Sequence, residues 1–300
     1  MNILDNVGNT PLFELNKIYM PKRGIRLFVK AEFMNPSGSV KDRAAKAMIL
    51  DGIQSGKLTR KKAILDATSG STGIAYAMMG ALLGYRVVLC VPANLSQERR
   101  MLIKAYGAEM IETDPLEGSD GACDRAKKLA EEYPEQYFYP DQYHNENNWK
   151  AHYTTTAEEL WQQTEGKITH FVAGAGTSGT FMGTTKRLKE LNKNIQGILM
   201  QPDSPFHGLE GIRHLASTEN QGFFDKTFPD EVVEVSTENA YKMVRKLAAE
   251  EGLLVGISAA ANVLAACKVA ESAEDNSVIV TVLGDGGYRY LSEPVWREQQ

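Results

Sequence analysis

Hydrophobic positions along this chain keep two periods and switch between them. Over residues 26–34, Leu27, Val29, Ala31 and Phe33 fall on one face at period two, which predicts a strand. Residues 62–67, 87–91, 108–112, 137–139, 169–173, 195–201, 231–235 and 277–283 read as further strands. Between them, 44–50, 75–83, 97–106, 118–133, 157–163, 181–191, 237–250 and 259–272 carry helix-forming residues or helical spacing. Strand and helix alternating at this rhythm are βαβ units, so the expected class is α/β, with mostly parallel sheets and helices on both faces. Residues 8–12 read as a loop broken at Pro11, and 202–222 as a long irregular region. The polar run 141–148 marks a candidate domain junction, and the tail after Tyr290 is read as peripheral.

Composition narrows the classes without choosing one. Three hundred residues suit two domains or one large one. Hydrophobic content of 43% and charge of 24% are those of an ordinary globular protein, and a net charge of -5 leaves no footprint for nucleic acid or an anionic membrane. Residues 74–93 are long and apolar enough to suggest a membrane span, but Gly84, Arg86 and Pro92 divide them into a buried helix, its glycine cap and a buried strand. The first five residues lack the basic start and apolar run of a signal peptide. Cys90, Cys123 and Cys267 are few, odd in number and widely spaced, which fits a reducing cytoplasm. The five histidines show no ligand spacing, so no catalytic metal is expected.

Candidate chemistry sits where strands hand over to helices. Residues 35–43 read Asn-Pro-Ser-Gly-Ser-Val-Lys-Asp-Arg, dense turn chemistry with Ser39 as a candidate N-cap. Lys41 then lies near the positive end of a helix dipole, which lowers an ammonium's pKa and favours the neutral amine that a Schiff base requires. A solvated lysine opening a surface helix is the alternative. The loop Thr68-Ser69-Gly70-Ser71-Thr72-Gly73 follows a strand's carboxyl end, where open α/β sheets bind ligands; it suits a carboxylate or phosphate, or is simply a capped helix start. Gly174-Ala175-Gly176-Thr177-Ser178-Gly179 matches the dinucleotide fingerprint, with Asp203 past the next strand, so a dehydrogenase is a rival to a single-phosphate nest. Ser258 and Asp285 could each hydrogen-bond a ring nitrogen, or act as a helix cap and a turn residue.

Taken in order, these elements resemble the fold-type II pyridoxal-phosphate enzymes, and specifically the cysteine synthases (O-acetylserine sulfhydrylases). The likeness rests on residues 8–12, 35–43, the Thr68 loop, 176–180 and Gly256-Ile257-Ser258. Residues 96–100, 151–156, 161–164, 168–172 and 211–213 are most like the cysteine synthase B type. The resemblance implies two doubly wound domains with the cofactor in the cleft between them: a smaller mobile domain over 36–145, and a larger one from 1–35 and 146–300. It implies that Lys41 forms the internal aldimine with pyridoxal 5'-phosphate, and that Gly176, Thr177, Ser178, Gly179 and Thr180 cup the phosphate. Ser258 would face the ring nitrogen with Asp285 close by, and Ser71 would face the ring hydroxyl oxygen, where the family carries Asn. Thr68, Ser69, Gly70, Thr72 and Gln142 would bind the amino-acid carboxylate, and Arg213 could take an anionic leaving group or sulfur donor.

The implied reaction is β-replacement on an O-activated serine, O-acetylserine foremost, by sulfide or a larger sulfur donor through an aminoacrylate. A cysteine desulfhydrase, a cystathionine synthase relative, and a weakly catalytic paralogue that binds a partner protein are the alternatives. A homodimer in the cytoplasm, with serine acetyltransferase as a partner, belongs to the same resemblance. Besides Ser71, residues 256–260 read Gly-Ile-Ser-Ala-Ala where the family reads Gly-Ile-Ser-Ser-Gly.

Overall fold

The computed structural model describes residues 2–20, 22–215, 217 and 222–296, so part of the irregular region after Pro202 and the last four residues of the tail lie outside it. Strands β1 (Leu12–Glu14) and β2 (Arg26–Lys30) lead into helix α1 (Lys41–Gln54). Next come β3 (Ala63–Ala67), α2 (Ser71–Leu83), β4 (Val87–Pro92), α3 (Gln97–Ala105), β5 (Glu109–Thr113), α4 (Gly118–Glu132) and β6 (Tyr137–Phe138). Helix α5 (Asn147–Ala151) passes through a π-helical turn (His152–Thr156) into α6 (Ala157–Gln163). The chain closes with β7 (His170–Gly174), α7 (Gly179–Leu191), β8 (Gln196–Pro202), β9 (Glu231–Val235), α8 (Thr237–Lys246), α9 (Ile257–Ser272) and β10 (Val278–Val282).

These strands form two sheets. One is four-stranded and wholly parallel, in the order β5-β4-β3-β6; the other has the order β1-β2-β10-β7-β8-β9, with only β1 antiparallel. The pleat sends alternate side chains to opposite cores. In the smaller sheet, Ile64 and Leu89 pack with α1, α2 and α3, while Leu65, Val88 and Cys90 pack against Ala122, Ala126 and Leu129 of α4. In the larger, Val172, Ile198 and Ile279 join α8 and α9, while Phe171, Leu199 and Val280 join α6 and α7. With both faces covered, β3, β4 and β10 are buried at every position, as apolar strands without alternation require. Within the apolar stretch 74–93, Ile74–Gly80 and Val87–Pro92 are core, while Ala81, Leu82, Gly84 and Arg86 reach the surface; no described helix is long and apolar enough to cross a membrane.

Three local expectations are corrected. The strand predicted over 26–34 stops at Lys30, and Glu32–Met34 is a 3-10 turn. Glu32 there is a fully buried carboxylate held by Arg43, Thr10 and Asn35, contacts that period-two spacing does not encode. The loop expected through Leu12 instead becomes an edge strand, with Leu12 paired to Lys30. Ser39 is not the N-cap of α1: that residue is Val40, although the Lys41 amide still donates to Ser39 Oγ at 3.3 Å.

Candidate active site

The two sheets present their carboxyl ends to a shared cleft of about 480 Å³. Lys41 enters it from the first turn of α1, and backbone bonds place that turn. The Val40 amide donates to the Gly284 carbonyl at 2.8 Å, and Ser39 bridges to Asp285, so the lysine is stitched to the loop after β10. Its Nζ has no hydrogen-bond partner among the described residues. Burial lowers the amine's pKa, with the Asp285 carboxylate pulling the other way. Burial thus favours the unprotonated amine, the form that acts as a base or nucleophile.

The loop between β3 and α2 forms one wall. Thr68 Oγ1 accepts the amides of Gly70 (2.9 Å) and Gly73 (3.0 Å), which leaves its own proton to donate. Thr72 donates to Gln142 Oε1 at 2.8 Å, and Gln142 Nε2 donates to the Ala67 carbonyl at 2.6 Å. The second Nε2 proton, the Ser69 hydroxyl and the Ser71 and Thr72 amides at the start of α2 stay available. A wall composed of donors suits a carboxylate. Gly70, expected among the binding residues, does not line the cleft. Its φ of 139° turns the chain there, and a Cβ would overlap Arg99 Cδ.

The opposite wall is the turn from β7 into α7. Ser178 holds a φ of 66°, rare for a residue with a Cβ, and caps α7, whose first-turn amides have no intrahelical acceptor. A Cβ on Gly176 would overlap the Gly211 carbonyl oxygen, and one on Gly179 would overlap Asn148 Oδ1; both glycines are therefore required by close approach. Asn148 Nδ2 fixes Thr177 Oγ1 at 2.9 Å and the Gln142 carbonyl at 2.6 Å, joining this wall to the first. Thr180 Oγ1 lies 3.3 Å from His152 Nε2, and burial and Arg43 hold that imidazole down to about 3, hence neutral.

The floor carries Ser258, in the first turn of α9, and Asp285. Asp285 Oδ2 accepts from Tyr290 (2.7 Å) and Ser71 (3.2 Å), while its buried Oδ1 has no partner. Ser71 Oγ also accepts from Arg289 Nη1 at 3.0 Å. At the mouth, Arg213 stacks 4.3 Å over Tyr143 and donates to the exposed Asp120 at 2.6 Å. The remaining predicted residues, Lys41 to Asp285, all line this one cleft. Asn148, Arg99, Arg289 and Tyr290 were missed as site residues; Asn148 lay inside the polar run read as a junction, and Arg99 within the Ser96–Arg100 likeness.

A ring cofactor with a phosphate fits these walls. A partner-free lysine nitrogen, a turn whose Gly176 and Gly179 leave no room for a Cβ and an unpartnered carboxylate oxygen all face or border the same space.

Comparison with known proteins agrees. Residues 3–285 match the family described as pyridoxal-phosphate dependent enzyme. The chain is 48% identical to a cysteine synthase of Aquifex aeolicus over 303 residues, covering 99% of this chain and 92% of the relative. It is 41% identical to cysteine synthase B of Salmonella typhimurium, covering 100% and 97%. The crystal structure of cysteine synthase from Entamoeba histolytica superposes with a TM-score of 0.91 at 36% identity, covering 100% of this chain and 91% of that one.

Proposed function

This chain belongs to the family of pyridoxal-phosphate dependent enzymes, and from that premise we propose that it converts O-acetylserine and sulfide to cysteine and acetate. The observation that carries the proposal is the convergence of Lys41, the donor wall at Thr68 and the amide turn at Gly176–Thr180 on one cleft. Lys41 would hold the cofactor through its amine. Gly176, Thr177, Ser178, Gly179 and Thr180 would take the phosphate, and Ser71, Ser258 and Asp285 would border the ring. When bound, the cofactor is an electron sink that stabilises negative charge at the amino acid's α-carbon.

The chain's own residues supply the rest. Thr68, Ser69, Thr72 and Gln142 bind the carboxylate and orient the Cα–H bond toward Lys41. Lys41 Nζ, its pKa lowered by burial, takes the α-proton and later returns it. The Cβ–O bond breaks and acetate leaves with the electron pair; sulfide then forms the Cβ–S bond. Arg213 stands at the mouth, where an anionic leaving group or donor would have to compete with Asp120. Residues 36–145 act as the unit that closes over the substrate and excludes water. Likeness to cysteine synthases extends the proposal to a cytoplasmic homodimer able to dock a serine acetyltransferase, which light scattering with and without that partner checks.

The decisive experiment is a visible spectrum of the purified protein, followed by product analysis. We expect a yellow protein whose band shifts on adding O-acetylserine and returns with sulfide as cysteine appears. Lys41→Ala should abolish turnover. Cysteine breakdown without synthesis from O-acetylserine would replace the proposal with an elimination activity.

A further inference from the structure

Arg99 is a buried cation in α3 that touches no predicted catalytic atom, yet it meets three separate segments. Its Nε donates to Ser96 Oγ at 2.8 Å. Its Nη1 donates both to the Ser69 carbonyl, at 2.7 Å, and to Glu210 Oε2, at 3.0 Å. Its guanidinium carbon lies 5.2 Å from the centre of the Tyr290 ring, and Glu293 is 3.7 Å from Nη2. Ser69 belongs to the donor wall and Glu210 to the segment that leans on Gly176, so one side chain ties the two walls of the cleft together.

The consequence lies in the Ser69–Gly70 peptide. Its carbonyl is held by Arg99, and its N–H is held by Thr68 Oγ1 at 2.9 Å. Gly70, at φ 139°, gives this peptide little intrinsic preference, because glycine populates both signs of φ readily. Turned over, the peptide would offer a carbonyl oxygen beside the donors of Thr68, Ser69 and Thr72, and an oxygen there repels a carboxylate. We propose that Arg99 is a positioning residue for the amino-acid carboxylate: it selects the peptide orientation that leaves the 68–72 loop composed of donors. The inference rests on the function proposed above, since it assigns that loop to a substrate carboxylate.

The test uses the cofactor-loaded enzyme and the visible band of the bound group. Parent, Arg99→Gln and Arg99→Lys are each titrated with O-acetylserine and with its methyl ester, which lacks the carboxylate. Serine and serine methyl ester are titrated in parallel, so the comparison does not depend on the leaving group. Losing a charge-assisted hydrogen bond that organises the loop should weaken acid binding in Arg99→Gln by about 10–100-fold, with ester binding changed by under about threefold. KM should rise more than kcat falls, and the spectrum before substrate should stay as in the parent. Arg99→Lys keeps the buried charge but cannot span Ser69, Ser96 and Glu210 together, so its acid-to-ester ratio should fall by roughly 3–10-fold. Equal losses for acid and ester, or an unchanged ratio in Arg99→Lys should the Gln variant not fold, would overturn the proposal. A parent that binds serine through its carboxylate but ignores O-acetylserine would instead overturn the substrate assignment alone.

Discussion

Asp66 is the penultimate residue of the fully buried β3, two residues before Thr68, and it is a carboxyl group without a cation beside it. Burial pushes it up to about 7, against hydrogen bonds donated by the Ala67 amide (2.8 Å) and the Tyr76 hydroxyl (2.9 Å). Its folded pKa is thus raised above the unfolded value of about 3.9. The folded state holds the proton longer, so this group's contribution is fully present below about pH 4 and is lost as pH rises toward 7. We expect Asp66→Asn to flatten the fall in stability over that window, a difference of the order of a few kcal/mol, read from urea unfolding at pH 4 to 8. Parallel profiles for parent and variant would show that another group titrates. The same principle sets Lys41, where the shift runs downward because the buried charged form is the protonated one.

At the scale of elements, the cleft depends on helices that cross without side chains between them. A Cβ on Gly183 of α7 would overlap the Trp149 carbonyl oxygen of α5, and backbone cannot step aside as a flexible side chain does. Gly183→Ala should therefore cost about 1–3 kcal/mol of stability, as overpacking does elsewhere, despite alanine's better helix propensity. Because the N-terminus of α7 forms the amide turn, the variant should also release the cofactor more readily, measured as loss of the yellow band on dialysis. A gain in stability would mean that the two helices separate freely. The π-helical turn between α5 and α6 places His152 against Thr156 (2.9 Å) and Thr180, so this irregularity serves the site too.

Across the whole molecule, one buried ion network sets α1, and hence Lys41, on the larger sheet. Arg43 pairs with Glu32 at 2.7 Å and Glu159 at 2.6 Å, while Lys30 meets Glu159 at 2.6 Å and Thr10 donates to Glu32 at 2.6 Å. Burial alone would raise the Glu32 carboxyl, but the charge and hydrogen bonds of Arg43 hold it down to about 2. That contribution is present above the unfolded value, about 4.3, and is lost as pH falls toward 2, the opposite sense to Asp66. Glu32→Gln leaves Arg43 partly uncompensated, and breaking a buried pair costs about 3–5 kcal/mol. Thermal melts at pH 7 should show that loss, and the variant's remaining stability should depend less on pH between 4.5 and 2. An unchanged melting temperature would show the network to be dispensable.

The sequence by itself determined what depends on neighbours along the chain. Strand and helix alternation, the Gly84 cap, the position of Lys41 at a strand-to-helix corner and the amide turn at Gly176–Thr180 all follow from periodicity and local backbone chemistry. The family likeness added an order among the loops that no single loop carried, and gave the dinucleotide fingerprint a second reading, as a phosphate cup. Only the tertiary structure decided which groups are already spoken for. Gly70 faces Arg99 rather than the cleft, and Arg213 is paired with Asp120. Ser71 is engaged by Arg289 and Asp285, while Ser39 supports Lys41 without capping α1. Glu210 lies 111 positions from Arg99, and Arg289 lies 218 from Ser71. Contacts at that separation leave no period or motif, because the two side chains meet only after both sheets have packed.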